Sequence, residues 1–374
     1  DFGGEVERGL AMADGALLLV DASEGPLLQT RFVLKKALEN DLQIILVINK
    51  VDRPDARIAE VVDEVYELFF DLDARGTQID FPIVYCVART GTASLEPDLL
   101  GSDLSPLFRV MAEHIAAPSY QGTGRLQALV TNLDASPHLG RLAICRVMEG
   151  HILQGQTVAH CRRGGSVEVV KITRLWVTKG LQRIQVGSAS PGDIIIVAGM
   201  PHITIGETLA DPDYPVPLPG IEIDEPTMSM TLGINTSPLA GREGRKLTSR
   251  LLQNRLEAEV VGNVSIRISR AEDSDAWIVE GRGELQLAVL VETMRREGFE
   301  LTVGKPEVIT KNDDGVLLEP VDNVFIEVPQ DFVGAVSQSI ALRKGRMRHM
   351  TGHRNGVTHL EFEMPVRGLF GYQA

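Results

Sequence analysis

Five consecutive β-branched or leucine residues, Ile44-Ile45-Leu46-Val47-Ile48, run without interruption into the polar turn Asn49-Lys50-Val51-Asp52. A strand that is apolar on both faces has to be covered on both, which calls for a parallel sheet between layers of helix with its site at the carboxyl ends of the strands. An aspartate in a turn at that place can accept hydrogen bonds from both N1-H and N2-H2 of guanine, and adenine presents neither donor. In this reading the Asn49 amide meets the base edge and braces the loop, while the Lys50 stem lies along the ring with its ammonium in water. A base lacking the donors leaves Asp52 buried and unpaired, which is the source of selectivity. A helix-capping turn is the bland alternative. The position directly after a buried strand favours the ligand site.

The surrounding pattern alternates strand and helix. Strands are expected at Ala16 to Val20, Ile44 to Ile48 and Ile83 to Val87, and helices at Pro26 to Glu39, Ala56 to Phe70 and Ser105 to Ala116, with Asp1 to Arg8 a loop entering a helix. Such alternation predicts a doubly wound domain over residues 1–119. Asp21, Asn49 to Asp52 and Val87 to Arg89 then converge on one rim.

After the Pro/Gly/Ser cluster at residues 118–124 the period changes to two, with short strands from Leu126 to Ala198 separated by glycine turns. This predicts a closed antiparallel β-barrel over residues 120–214. Pro212, Pro215, Pro217 and Pro219 mark the next linker. Residues 215–305 then read β-α-β-β-α-β, a ferredoxin-like α+β domain, with strands that include Val264 to Ile268. A second copy, residues 306–374, starts with a strand at Asn323 to Val328, a helix at Phe332 to Arg343 and a strand at Val357 to Met364, and stops where its second helix is due. The sequence therefore reads as an α/β and β multidomain chain cut at both ends.

A length of 374 residues with 44% hydrophobic content is enough for several cores. No stretch approaches the roughly 18 consecutive apolar residues of a membrane span and no leader is visible, so a cytoplasmic protein without a membrane partner is expected. Cys86, Cys145 and Cys161 are far apart and read as reduced, buried thiols. The net charge of −14 argues against wholesale coating of nucleic acid, but the distribution is uneven. Residues 1–119 hold 10 Lys/Arg against 21 Asp/Glu, whereas Ser237 to Arg270 holds seven basic residues and three acidic ones. Arg343, Lys344, Arg346, Arg348 and Arg354 form a run with no acid, and Arg242, Arg245 and Lys246 sit in a Gly-rich loop. Each group reads as a solvated face or as a contact to RNA phosphate. His349 and His353 have helical zinc spacing, but Gly352 and the missing glutamate favour a loop facing RNA, so no metal site is expected.

The order of these modules, with Asp1-Phe2-Gly3-Gly4-Glu5-Val6-Glu7-Arg8, Leu17-Leu18-Leu19-Val20-Asp21-Ala22, Asn49-Lys50-Val51-Asp52-Arg53-Pro54, Asn235-Thr236-Ser237-Pro238, Gly281-Arg282-Gly283-Glu284-Leu285 and Met294-Arg295-Arg296-Glu297-Gly298-Phe299-Glu300, resembles the BipA/TypA family of ribosome-binding translational GTPases over essentially the whole chain. The resemblance implies a monomeric GTP phosphohydrolase using GTP/GDP with Mg2+, and a ribosome and ribosomal RNA partner. It places Asn49, Lys50, Val51, Asp52, Val87, Ala88 and Arg89 at the nucleotide and Asp1, Phe2, Gly3, Gly4 and Glu5 in the switch segment. In that family a phosphate loop and a switch histidine precede the segment beginning at Asp1. No Gly-x-x-x-x-Gly-Lys-Ser/Thr occurs here, so residues 1–374 by themselves are expected to be catalytically inactive, with no catalytic residue among them. Val87-Ala88-Arg89 stands where the family has a Ser-Ala-Lys-like element. The Ala88 N-H is expected to meet guanine O6, and Val87 brings no hydroxyl to brace the turn. The alternatives are a LepA-like elongation GTPase and a nucleotide-independent ribosome or RNA-binding module.

Overall fold

In the computed structural model residues 3–372 are described, apart from 100, 119, 121–123, 137, 222–224, 264, 273–274 and 353–355. The chain opens with α1 (Gly3–Leu10), β1 (Gly15–Asp21), α2 (Leu28–Glu39), β2 (Gln43–Asn49), α3 (Ile58–Asp71), α4 (Gly76–Ile79), β3 (Ile83–Val87), β4 (Thr92–Ser94) and α5 (Ser105–His114). β1, β2 and β3 pair in parallel in that order, and β4 closes the far edge antiparallel. The apolar run is buried throughout. Ile44, Leu46 and Ile48 pack with Leu34, Val61, Val65 and Phe69 from α2 and α3, while Ile45 and Val47 pack with Val110 from α5. Full burial of each such side chain is worth about 1.5–3 kcal/mol, so β2 is the anchor of this layer. Among the described residues β1 lies at the open edge, where Leu17 and Leu19 stay 41% and 60% exposed beside the covered Ile45 and Val47.

β5 (Gln127–Ser136), β6 (Gly140–Glu149), β7 (Ile152–Leu153), β8 (Thr157–Cys161), β9 (Val167–Lys171), β10 (Arg174–Lys179), β11 (Gln182–Gln185), β12 (Ser188–Ala189), β13 (Ile194–Ala198) and β14 (Thr208–Ala210) follow. Eight of them form one sheet in the order β11-β10-β13-β6-β5-β14-β8-β9, and β7 pairs with β12. Val158, Leu209, Val130, Cys145, Ile195 and Leu175, from six strands across this order, share a single core, so the sheet curls around it. Among the described residues its end strands β11 and β9 are not paired with each other. The chain runs directly from β9 into β10, where Ile172 N donates to Gln156 O and Thr173 N to Ala198 O, both at 2.9 Å, so the backbone itself carries the sheet round at that corner.

The next sheet has the order β16-β17-β15-β18, from β15 (Met228–Ile234), β16 (Arg267–Arg270), β17 (Ala276–Gly281) and β18 (Leu301–Val303), with β19 (Glu307–Val308) also paired to β15. α6 (Ser249–Gly262) and α7 (Glu284–Arg296) cover it, burying Leu252, Leu256, Leu287, Leu290 and Met294. β16 starts later than the Val264 to Ile268 strand read from the sequence. β20 (Lys311–Asp313) and β21 (Val316–Leu318) form a hairpin. The last sheet is β22-β24-β23, from β22 (Val321–Pro329), β23 (Arg346–Gly352) and β24 (Val357–Pro365), packed on α8 (Val333–Leu342). β23 is one arm of a hairpin with β24, and it takes in His349, which the sequence reading places in a loop. All but one of its residues are exposed, so it lacks the buried alternation by which a strand is recognised in a sequence.

Candidate functional site

The three strand ends meet as the sequence predicts. Asp21 is level with Asn49, and Asn49 with Cys86, across the parallel register. Asn49 ties the rim together: its carbonyl accepts from Ala22 N at 2.8 Å and its side-chain Oδ1 accepts from Ala88 N at 3.0 Å. Val51 N donates to Cys86 O at 3.4 Å. The Asn49 amide thus braces the two loops against each other. The expectation that the Ala88 N-H points free toward a base is corrected, because that N-H is already donated to Asn49. Val87 lacks a hydroxyl, and Thr90 supplies one instead, its Oγ1 donating to Val87 O at 3.1 Å.

Lys50 has φ of 62°, a left-handed backbone that few non-glycine residues adopt and that tends to gather at functional sites. The twist turns its side chain back across the strand ends, where Nζ lies 2.6 Å from Asp21 Oδ2. The ammonium is ion-paired while still more than half exposed, a contact that the sequence reading did not include. Burial alone would raise the Asp21 carboxyl. The Lys50 bond and the Ser23 and Glu24 amides outweigh it, and the group sits below its ordinary range. Asp52 is about a third exposed, with Arg89 Nη2 3.8 Å from its Oδ2. A partly open carboxylate with one cation at that distance retains acceptor capacity for an incoming N-H pair.

The loop after β1 is anchored by residues the sequence reading did not single out. Arg57 Nε donates to Ser23 O at 2.8 Å, Nη2 to Glu24 O at 3.2 Å, and the same guanidinium pairs with Glu64. Ser23 Oγ donates to Asp55 Oδ2 at 2.8 Å, and Arg53 pairs with Asp55 at 2.7 Å. The Arg53 and Ser23 bonds hold the Asp55 carboxyl well below the usual carboxylate range. Arg53 and Asp55 are two residues apart and could have been found locally. The Ser23 to Arg57 bond spans 34 positions and leaves no trace in composition or period.

The other expected site residues are distributed unevenly. Asp1, Phe2 and Arg354 lie outside the described residues, as does His353. Gly3, Gly4 and Glu5 open α1. Glu5 lines a cavity of about 470 Å³ with Arg8, Met12, Asn132 and Asn263, where α1 meets β5 and α6. Arg343 Nη1 donates to Gly368 O and Phe370 O at 3.0 and 2.9 Å, so its guanidinium holds the last turn instead of standing free for RNA. Arg348 pairs with Glu363 across the sheet. Lys344 and Arg346 are exposed, as are Arg242 and Arg245, while Lys246 Nζ sits 4.6 Å above the Phe299 ring.

Residues 1–119 match the elongation factor Tu GTP binding domain, 125–211 match elongation factor G domain 2, and 316–374 match the elongation factor G C-terminus. Over 372 residues the chain is 46% identical to the large ribosomal subunit assembly factor BipA of Bacillus subtilis, covering all of this chain and 61% of that protein. The chain belongs to the BipA/TypA family of translational GTPases. Members so named from Synechocystis and Salmonella typhimurium are 44% and 43% identical, again over all of this chain and 62% of theirs. The chain thus spans somewhat under two thirds of the length of these BipA relatives. A crystal structure of a Thermus thermophilus protein shares the fold, with a TM-score of 0.63, 16% identity, and 99% of this chain and 82% of that one covered. The translational GTPase architecture, with a GTPase-type domain, a domain 2 and a C-terminal domain, holds for this BipA-family chain.

Proposed function

We propose that this chain carries the base-reading half of a guanine-nucleotide site in a BipA-like factor that, as a whole protein, hydrolyses GTP to GDP and phosphate on the ribosome. The observation that carries the reading is the Asn49 bridge to Ala88 at a rim formed by three parallel strand ends, where Asp52 is about a third exposed. Asn49 and Val51 hold the loop, Asp52 accepts the guanine N-H pair, and Val87, Ala88 and Arg89 form the opposite wall. Lys50 leaves Asp21 to lie along the ring, and Asp21 stays ionised at neutral pH to receive it again on release. Gly3, Gly4 and Glu5, with Asp1 and Phe2 ahead of them, belong to the segment that senses the γ-phosphate.

Mg2+ with GTP supplies charge neutralisation at the phosphates. Among the described residues no group of three or more His, Cys, Asp or Glu could hold a metal. Such an ion is held mostly by phosphate oxygens and water with one or two protein ligands; no step is routed through it, and we place the phosphate-handling parts outside these residues. The domain limits we propose are 1–119, 120–214, 215–305 and 306–374, the second a barrel and the last two ferredoxin-like. Ribosomal RNA is the proposed partner of the basic loops, in a monomeric cytoplasmic protein. The relatives' name as large ribosomal subunit assembly factors supports the ribosomal partner. The test is Asp52→Asn in the full-length protein: GTP affinity should fall by about 100-fold or more, as for a site whose buried acceptor loses its partner pair. Unchanged preference for GTP over ATP would sink the assignment.

A further inference from the structure

The loop joining β15 to α6 is exposed and glycine-rich, yet its backbone is fixed by one carboxylate. Glu300, just before β18, accepts from Gly241 N at 2.9 Å, Glu243 N at 2.6 Å and Gly244 N at 2.7 Å, and Asn235 Nδ2 adds a bond at 3.1 Å. Those three amides pull the Glu300 carboxyl down to about 2. Gly298 O receives Arg245 N and Lys246 N at 3.1 and 3.0 Å. Gly244 cannot carry a side chain, because a Cβ there would stand 2.6 Å from Gly298 O. The rigid loop presents Arg242 and Arg245, both exposed and, among the described residues, without a hydrogen bond or ion pair from their guanidinium groups. By contrast Arg343 and Arg348 of the last sheet are engaged internally.

We propose that residues 238–246 form a pre-organised RNA-phosphate-binding arm and that Glu300 is its positioning residue. This rests on the ribosomal RNA partnership proposed above and says where on the chain it is made. A planar guanidinium matches a phosphate with two parallel bonds, and a surface arm that is ordered before binding loses less entropy on contact. Glu300 beside the arm, like the exposed Glu243 within it, repels phosphate. Its retention at the centre of the loop makes sense if the geometry it imposes outweighs that repulsion.

The two effects have opposite signs, which makes Glu300→Gln diagnostic. Simple electrostatics predicts tighter RNA binding once the charge is gone. Pre-organisation predicts binding weaker by roughly two- to tenfold, with amide exchange at Gly241, Glu243 and Gly244 accelerated and the salt dependence unchanged. The assay is titration of the 374-residue chain with naked large-subunit ribosomal RNA at several salt concentrations. The surface double variant Arg242→Ala/Arg245→Ala should weaken binding and lower the slope of log K against log salt by about 2, one for each lost phosphate contact. The proposal is overturned if Glu300→Gln binds as well as or better than the parent while its loop exchange has accelerated. It is equally overturned if the double variant binds RNA like the parent, or affects only intact subunits, which would indicate a protein partner. Should Glu300→Gln disturb exchange in β15 and α7, the double variant decides alone. If the unaltered chain fails to bind the RNA, the ribosomal RNA partnership itself fails and the arm with it, a result distinct from binding that ignores these residues.

Discussion

Glu207→Gln isolates the contribution of charge inside the curled sheet. In the native chain one carboxylate oxygen takes two hydrogen bonds, from His160 Nε2 at 2.6 Å and Thr204 N at 2.8 Å, with the His160 and Glu207 side chains both buried. Glutamine keeps the shape and can offer an oxygen to both donors, so only the charge assistance is lost. Bonds to a charged group contribute about 1.5–3 kcal/mol against about 0.5–1.5 for neutral ones, which puts the cost near ~1 kcal/mol. Glu207→Ala strands both donors and should cost about 3–5 kcal/mol, as for other broken buried pairs. Burial would raise the Glu207 carboxyl above its ordinary value of 4.5. The His160 bond and the Thr204 amide overcome that and hold it lower. A depressed folded-state pKa gives stability that is complete above the unfolded value and is lost as pH falls through the folded one. The stability gap between the native chain and the Glu207→Gln variant should therefore be constant above about pH 5 and shrink below about 4.5. Amide exchange in β8 and β14 of the intact chain reads this gap locally. A gap that persists unchanged into acid, or an alanine variant no worse than the glutamine one, would refute the reasoning.

Three further outcomes are expected. Phe69→Ala removes a ring that is fully buried between α3 and the parallel sheet, 4.6 Å from the Phe81 ring, and should cost about 3–5 kcal/mol in denaturant unfolding of the first unit. Arg57→Ala should accelerate amide exchange in residues 23–25 at least about tenfold while leaving β2 protected, because local opening of the rim loop is uncoupled from the core. Burial pushes the thiols of Cys86, Cys145 and Cys161 up, so reaction with a thiol reagent at neutral pH should track unfolding; fast labelling of the native chain would contradict their placement.

What was legible in the sequence was whatever local pattern enforces. Ile44 to Ile48 reads as a strand covered on both faces, and the bounds of β2 and β3 follow the expected ones within a residue. The ferredoxin-like order β16-β17-β15-β18 likewise follows from its elements. β23 was missed because an exposed strand such as Arg346–Gly352 has no buried face to impose a period on its residues. The arginines illustrate a second limit. Arg343 and Arg242 look alike in a basic stretch, and only the approach of the Gly368 to Gly371 turn commits one of them to carbonyls. At the rim, the Lys50 contact with Asp21 depends on a left-handed backbone that nothing in Asn-Lys-Val-Asp announces.

The open flank of β1 has its own consequence. Its outer N-H and C=O groups face away from β2, and Leu17 and Leu19 stand beside them, a combination that recruits any extended peptide of matching length. Among the described residues nothing pairs with that ladder, so in the 374-residue chain itself this flank is where self-association is expected to grow as protein concentration rises.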